Sequence, residues 1–178
     1  MSNNVTTEIG GNRSETNDYK DYCVCSDWDG DGEIFNGDNK VKWRFQSTNA
    51  DKYSTKLFRS PVFVFRNSDG KELSVIYCKR RLPLAQFVVV EKDLPVCTIN
   101  QRSVFFTRYE FEFVGGIRWN LYMPMFSVRG KGTSNEGKEI FTGARSRRQW
   151  FIRISSSFDS SAMMAALAYI TRKKLQRT

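Results

Sequence analysis

The stretch Ala162-Met-Met-Ala-Ala-Leu-Ala-Tyr-Ile170 decides the fold, because it combines strong helix formers with no polar face over two turns. The preceding run, Ser155-Ser-Ser-Phe-Asp-Ser-Ser161, supplies several residues that favour a helix N-cap. A helix that is apolar on every side must be buried on every side, and this one is far shorter than the roughly 20 residues that span a bilayer. We therefore predict a buried C-terminal helix over residues 160–172.

Short alternating segments precede this helix and predict β-strands. The segment Val41-Lys-Trp-Arg-Phe45 alternates apolar with basic residues, and the segment from Phe105 to Phe113 alternates apolar with polar ones. Gly115-Gly116 predicts a hairpin turn, and we interpret Gly130-Lys-Gly132 as another turn between strands. Successive strands with no helix between them favour a mainly β fold, an antiparallel meander or barrel that surrounds the terminal helix.

Many strands followed by one wholly apolar C-terminal helix resemble the order of elements in the tubby-like superfamily, which includes tubby C-terminal domains, LURP-one-related proteins and phospholipid scramblases. The resemblance covers residues ~40–175 and is carried by Phe63-Val-Phe-Arg-Asn-Ser-Asp-Gly70, Trp119-Asn-Leu-Tyr-Met-Pro-Met-Phe126, Ile140-Phe-Thr-Gly143, Gln149-Trp-Phe-Ile152 and the ending from Asp159 to Leu175. It implies a closed antiparallel β-barrel of about twelve strands around a central hydrophobic helix.

The resemblance also implies a class of function. Tubby domains bind phosphoinositides through basic surface residues, and scramblases act at membranes and respond to calcium. No scramblase-type cysteine cluster is present in this sequence. The resemblance therefore points to a cytoplasmic module that binds lipid headgroups at a membrane surface, rather than to a scramblase.

Composition argues against an enzyme. The 178-residue chain contains no histidine, which excludes His-based catalytic triads and His-containing zinc sites. The four cysteines do not form a disulfide framework, and no secretory signal is visible in the sequence, so we predict reduced thiols. We expect no catalytic residues and no required cofactor.

Charge divides the chain into two parts. Residues 1–39 carry two basic and nine acidic residues, a net charge of −7, whereas residues 40–178 carry 26 basic and 10 acidic residues, a net charge of +16. We predict a largely flexible acidic leader over 1–39 and a barrel domain over 40–178. A strongly basic domain attracts polyanions such as anionic membranes and nucleic acids.

Three basic clusters are candidate anion-binding sites: Lys79, Arg80 and Arg81; Arg145, Arg147 and Arg148; and Arg172, Lys173 and Lys174. Arginine offers a planar fork of donors that matches phosphate oxygens, and lysine adds a mobile charge. Loops gather at the two ends of a barrel, so we expect two of these clusters to converge. Anionic phospholipid is the ligand that we favour.

Two alternatives stay open. One is a nucleic-acid-binding barrel, because aromatic and basic residues interleave in Lys42-Trp-Arg-Phe45, Arg118-Trp119 and Gln149-Trp-Phe-Ile-Arg153. These aromatic residues alternate in step with strands, however, which favours core positions for them. The other alternative is a structural or protein-interaction domain in which the basic runs form solvated surfaces.

The acidic leader contains the segment Asp27-Trp-Asp-Gly-Asp-Gly-Glu-Ile-Phe-Asn-Gly-Asp38, which follows the spacing of an EF-hand calcium loop. The candidate ligands are Asp27, Asp29, Asp31, Glu33 and Asp38. The flanking sequences do not have the pattern of EF-hand helices. We therefore predict at most a helix-free Ca²⁺ loop, whose ion neutralises part of the leader's negative charge.

Overall fold

Twelve strands and one helix make up the computed structural model, which describes residues 18–27, 31–47, 61–80, 83–103, 107–123 and 128–175. The strands are β1 (Tyr19–Ser26), β2 (Gly32–Asn36), β3 (Val41–Ser47), β4 (Pro61–Asn67), β5 (Glu72–Arg80), β6 (Gln86–Glu91), β7 (Leu94–Gln101), β8 (Thr107–Phe113), β9 (Arg118–Met123), β10 (Arg129–Ser134), β11 (Glu139–Ser146) and β12 (Gln149–Ser155). A 3₁₀ turn (Ser156–Phe158) connects β12 to the helix α1 (Ser161–Leu175).

The sheet closes into a barrel. Each strand pairs antiparallel with its neighbour in sequence, and β1 pairs with β12 from Tyr19 opposite Ser155 to Cys25 opposite Gln149. The predicted twelve-stranded antiparallel barrel is confirmed. Because the ring is closed, none of the described strands presents an unpaired edge.

The barrel begins further toward the N-terminus than the charge pattern predicts. Strands β1 and β2 lie within residues 1–39 and close the sheet, so the predicted boundary at residue 40 is wrong. The acidic side chains of these strands concealed their alternation: Tyr22 and Val24 are buried, whereas Asp21 faces outward. Residues 1–17 of the predicted leader lie outside the described residues.

The segment Gly130-Lys-Gly132 is also corrected, from a turn to part of strand β10. Its glycines occupy inward positions where large neighbours leave little room for a side chain. A Cβ added to Gly132 would lie 3.1 Å from Cβ of Phe141 and 3.2 Å from the Trp119 ring. Glycine at this position therefore serves close packing rather than a turn.

Helix α1 runs through the barrel. The nine residues from Ala162 to Ile170 are each at most 5% exposed, and consecutive residues of a helix point about 100° apart. The helix is therefore enclosed on all sides, as its sequence predicts. Its alanines leave space for large side chains that point inward from the strands, among them Trp119, Trp150, Phe111 and Phe141.

Contacts at the two ends of α1 give its direction. Near its first residue, the Ser161 hydroxyl donates a hydrogen bond of 2.6 Å to Glu91 at the end of β6. Near its other end, the Tyr169 ring packs edge-on against Phe87 at the start of β6, with centroids 4.9 Å apart. The 15-residue helix is about 22 Å long and thus spans the barrel. We call the end where α1 begins the near end, and the end where it finishes the far end.

A charged cluster secures the near end. The Asp159 side chain, 4% exposed, accepts hydrogen bonds from Lys20 at 2.8 Å, from the Tyr22 hydroxyl at 2.9 Å and from Lys42 at 3.4 Å. Burial raises the pKa of the Asp159 carboxyl, but the hydrogen bonds and the two ammonium charges outweigh burial, and the net pKa lies below its ordinary value. Asp159 thereby joins β1 and β3 to the start of the helix.

Glutamate substituted at Ala165, Ala166 or Ala168 should destabilise the protein at each position, because no face of α1 meets solvent between Ala162 and Ile170. Alanine and glutamate differ little in helix propensity, so the loss reports burial of an unpaired charge. We expect each variant to lose several kcal/mol or to fail to fold in urea unfolding, as is usual for an uncompensated buried charge. Ala144→Glu, on the exposed outer face, is the control. One tolerant position on α1 would show that the helix has a solvated side.

Asp159→Asn should lower the free energy of unfolding at pH 7 by about 1–3 kcal/mol, because it removes the charge that three donors share. A depressed carboxyl pKa stabilises the fold above the unfolded pKa of about 3.9, and this stability is lost as pH falls below that value. The difference in stability between wild type and variant, measured by urea unfolding, should therefore shrink progressively as pH falls below about 3.9. The control Glu33→Gln breaks the exposed pair with Arg44 and should cost less than about 1 kcal/mol. If the stability difference between wild type and Asp159→Asn were just as large in acid, the Asp159 charge would not have this stabilising role.

Candidate functional site

Strand direction brings the predicted basic clusters to one end of the barrel. Odd-numbered strands run from the near end to the far end, and even-numbered strands return. Lys79 and Arg80 finish β5, and Arg147 and Arg148 form the turn from β11 to β12, so both pairs lie at the far end. The last turn of α1, with Arg172 to Lys174, finishes there too. Three clusters thus share an end where the sequence led us to expect two.

Some of the predicted residues are placed only in part. Arg81 lies outside the described residues. For Arg172, Lys173 and Lys174 the structure describes the helical backbone and not the side chains. The geometry of the far end therefore rests on Lys79, Arg80 and the arginines around the β11–β12 turn.

Main-chain contacts hold the far-end arginines in place. The Arg80 Nε donates to the Leu84 carbonyl at 3.1 Å. The Arg145 backbone N–H donates to the Val128 carbonyl at 2.6 Å, and its side-chain Nε donates to the Arg147 carbonyl at 3.4 Å. Arg147 has a φ of 50°, the left-handed conformation of the turn. Arg147 and Arg148 are exposed, whereas Arg145 is half-buried.

Sequence reasoning missed further cations at this end. Arg102 follows β7, and Arg129 begins β10, so both belong to far-end connections. Arg102 pairs with Glu110, and Arg129 is exposed next to Val128, whose side chain is 55% exposed. A count of strands would have found these residues, because every odd strand finishes at the same end of an up-and-down barrel.

The near end carries both signs of charge. Its described turns hold acidic and basic residues close together, among them Asp38 with Lys40, Asp69 with Lys71, Lys92 with Asp93, and Glu136 with Lys138. The far end therefore carries an excess of cations over the acidic residues of the β1–β2 turn, Asp27 and Asp31, whereas the near end is mixed. This difference in charge favours an orientation in which the far end faces a polyanion.

A strand divides the predicted calcium residues. Gly32–Asn36 is β2, and its Ile34 is fully buried in the core, so this part of the segment is extended rather than looped. Asp31 thus lies at the far end and Asp38 at the near end, separated by five strand residues or about 16 Å. The described residues 31–38 therefore do not form the second half of an EF-hand-like loop, because barrel alternation places its apolar position in the core.

The other predicted ligands have different partners. The Asp27 carboxylate accepts the Asp31 N–H at 2.9 Å, and the Asp31 carboxylate accepts the Ser47 N–H at 2.8 Å. Glu33 pairs with Arg44 at 3.0 Å, and Asp29 lies outside the described residues. In the described ranges, no three Asp, Glu or Cys side chains are grouped to hold a metal ion. Calcium binding stays a prediction for titration calorimetry.

The cysteines are free thiols, as predicted. The Sγ atoms of Cys23 and Cys25 lie 3.7 Å apart on the outer face of β1, and Cys78 and Cys97 are buried. Burial, reinforced by Cys25, raises the pKa of Cys23 to about 12, and burial raises the pKa of Cys97 to about 12. Both thiols stay protonated at neutral pH, which makes them poor nucleophiles.

The aromatic residues that suggested nucleic-acid binding mostly lie in the core. Trp43, Trp119 and Trp150 are buried and point into the barrel, as their alternation predicts. Phe151 is the exception, because it faces outward and is 49% exposed. The described part of the chain contains no helix of the length and hydropathy that a membrane span requires.

The fold and the far end define a class: closed antiparallel β-barrels that enclose a C-terminal helix and present a basic end. A protein from Arabidopsis thaliana, AT5G01750, has a similar solved structure, with a TM-score of 0.59 and 7% sequence identity over 90% of this chain and 93% of that chain. At this identity the likeness concerns the fold alone. No protein-family model matches the chain, and no curated protein matches it.

Proposed function

We propose that this protein is a non-catalytic module of the tubby-like type that binds anionic phospholipid headgroups at the cytoplasmic face of a membrane, as a peripheral protein. The far end of the barrel is the proposed contact surface. The observation that carries the proposal is the convergence of Lys79 and Arg80, Arg147 and Arg148, and the last turn of α1 at one end.

Electrostatics supports an orientation with the far end toward the membrane. A basic residue close to an anionic leaflet contributes about 1 kcal/mol of binding, and the contributions accumulate over a cluster. The mixed charges of the near end offer no comparable attraction. Val128, exposed beside Arg129, adds an apolar side chain that can enter the headgroup region. Arginine side chains suit this role because they bind phosphate oxygens through two donors at once.

The non-catalytic part of the proposal has its own support. The chain has no histidine, and the pKa values of the Cys23 and Cys97 thiols are raised. The far-end arginines act by charge and by hydrogen bonds to phosphate, for which no metal or cofactor is needed.

Arg80→Glu and Arg148→Glu should each weaken binding to phosphatidylcholine vesicles that contain phosphatidylserine or a phosphoinositide by about tenfold or more, in co-sedimentation assays. Each reversal removes one attraction of about 1 kcal/mol and adds a repulsion. The two residues lie 68 positions apart in the sequence and in different connections, so a shared effect tests their convergence. Melting temperatures should stay close to the wild-type value, because both side chains are exposed.

The matched control is the double variant Lys71→Glu/Lys138→Glu, which makes the same change in net charge at exposed near-end positions as Arg80→Glu/Arg148→Glu makes at the far end. The control should keep most of the vesicle affinity. Equal losses in the two double variants would show that net charge alone acts, and unchanged affinity in the far-end variant would exclude this surface as the lipid contact.

A further inference from the structure

A groove crosses the outer wall of the barrel, and of the far-end residues named above its lining includes Arg129 alone. It has a volume of about 800 Å³ and is lined mainly by outward side chains of β9 to β12 and β1. This size lies within the range of small-molecule sites in proteins. The exposed rings of Tyr122 and Phe151, 41% and 49% exposed, belong to its lining.

Strand register fixes the layout of the groove, because paired residues on the outer face lie side by side. Two neighbouring rows cross the strands: Arg129, Ala144, Phe151 and Cys23 in one, and Tyr122, Lys131, Thr142, Arg153 and Asp21 in the other. Neighbouring strands are about 4.8 Å apart. The register thus places Arg129 and Phe151 roughly 10 Å apart, on either side of Ala144.

The small side chains of β11 form the floor of the groove. Ala144 and Thr142 lie between longer side chains of β10 on one side and of β12 on the other. The β10 wall is cationic, with Arg129 and Lys131, and the β12 wall presents the Phe151 ring. A flat ring placed over Ala144 can therefore stack on Phe151 while an attached anion reaches Arg129.

Ion pairs order the side chains around this floor. Arg153 is held by Asp21 through contacts of 2.8 and 3.1 Å, and Lys131 is held by Glu139 at 2.9 Å. On the far side of β10, the Arg108 guanidinium lies 5.1 Å from the centroid of the Tyr122 ring. A ring with a cation on one face keeps its other face available to a second aromatic group.

We propose that this groove binds a nucleobase that carries a phosphate, supplied either by a single-stranded nucleic acid or by a free nucleotide. Phe151 stacks on the base and Arg129 binds the phosphate. In a single strand, Tyr122 stacks on a further base. Exposed rings interleaved with cations are the arrangement that holds single strands without reading their sequence.

Other occupants fit the groove less well. A peptide cannot join the sheet as an added strand, because the described ring of strands is closed. A lipid acyl chain would remove water from the charged β10 wall of Arg129 and Lys131 without adding an anion there, which is unfavourable. A phosphorylated sugar headgroup offers an anion but no planar aromatic ring to stack on Phe151 and Tyr122.

Fluorescence anisotropy with a labelled oligothymidylate tests the proposal on the full chain. Phe151→Ala and Tyr122→Ala should each weaken binding about fivefold or more, the loss expected for one stacked base. Phe151→Trp should retain binding, because it keeps a ring at the same position. Ile117→Ala, an exposed apolar residue at the near end, should leave the affinity unchanged. A duplex of the same sequence should bind more weakly than the single strand, because its bases are not free to stack.

Arg129→Ala should reduce the dependence of log Kd on log salt concentration by about 0.7, the value for one phosphate contact with a single strand. Competition with thymidine monophosphate identifies the source of the ligand. If thymidine monophosphate displaces the oligothymidylate at a comparable concentration of nucleotide units, the ligand is a free nucleotide. If it does not displace the oligothymidylate, the ligand is a single strand.

Three results would overturn the proposal: affinity unchanged within about twofold in the Phe151→Ala/Tyr122→Ala double variant, duplex bound as tightly as single strand, or no binding of either nucleotide probe. Vesicle binding by Phe151→Ala separates this site from the far end. If Phe151→Ala binds vesicles as tightly as wild type but binds the oligonucleotide more weakly, the groove and the far end are two separate sites. Loss of vesicle affinity without any oligonucleotide binding assigns the groove to lipid and overturns the inference.

Discussion

Burial of a helix that has no polar side is the constraint on which this structure depends. Such a helix can be covered only by a wall that closes around it, and the ladder between β1 and β12 completes that wall. Closure also gives the backbone groups at both sheet edges a partner. Because the helix takes up the centre, the strands must direct large side chains inward, and small residues on α1 and on β10 make room for them.

The same constraint sorts charge along the barrel. Since α1 passes through the centre from end to end, its N-terminus lies near the Asp159 cluster and its C-terminus lies among the basic turns. A helix C-terminus carries a partial negative charge, so cations are favourable there. The buried carboxylate at the near end and the cations at the far end thus both fit a helix of this direction. The difference in charge between the two ends, which supports the proposed membrane binding, follows from the direction of the helix together with the alternating directions of odd- and even-numbered strands.

Much of the architecture could be predicted from local patterns. Ala162 to Ile170 predicts its own burial, and Val41–Phe45 predicts strand β3. Strands β1 and β10 could not be predicted in this way, for different reasons. In β1, Asp21, Cys23 and Cys25 alternate with Tyr22 and Val24 in a segment whose overall charge is typical of a disordered tail. In β10, glycine fills inward positions because neighbouring rings occupy the space, and that reason lies elsewhere in the chain.

The interpretation of β10 as a turn also explains why only part of the candidate site could be predicted. Whether two clusters meet depends on the number of strands between them, and one omitted strand moves a turn to the opposite end of the barrel. With β10 interpreted as a turn, the Arg147–Arg148 turn could not be assigned to the end that holds Arg80. The EF-hand template had the opposite weakness. It matched the spacing of the acidic residues and placed Ile34 at its apolar position, but the same apolar residue is equally expected in a strand, where Ile34 is buried in the core.

Closure limits how this protein can recognise anything. With its described strands fully paired, recognition cannot use exposed backbone and must use the turns at the two ends or the outward side chains of the wall. The turns suit an extended charged surface, because they carry cations that are separated from one another in different connections. The wall suits a smaller ligand with defined geometry, because strand register holds Arg129, Ala144 and Phe151 in a fixed row. The two proposed kinds of anion recognition therefore differ in physical basis, one dominated by charge and the other by the spacing of a cation and a ring.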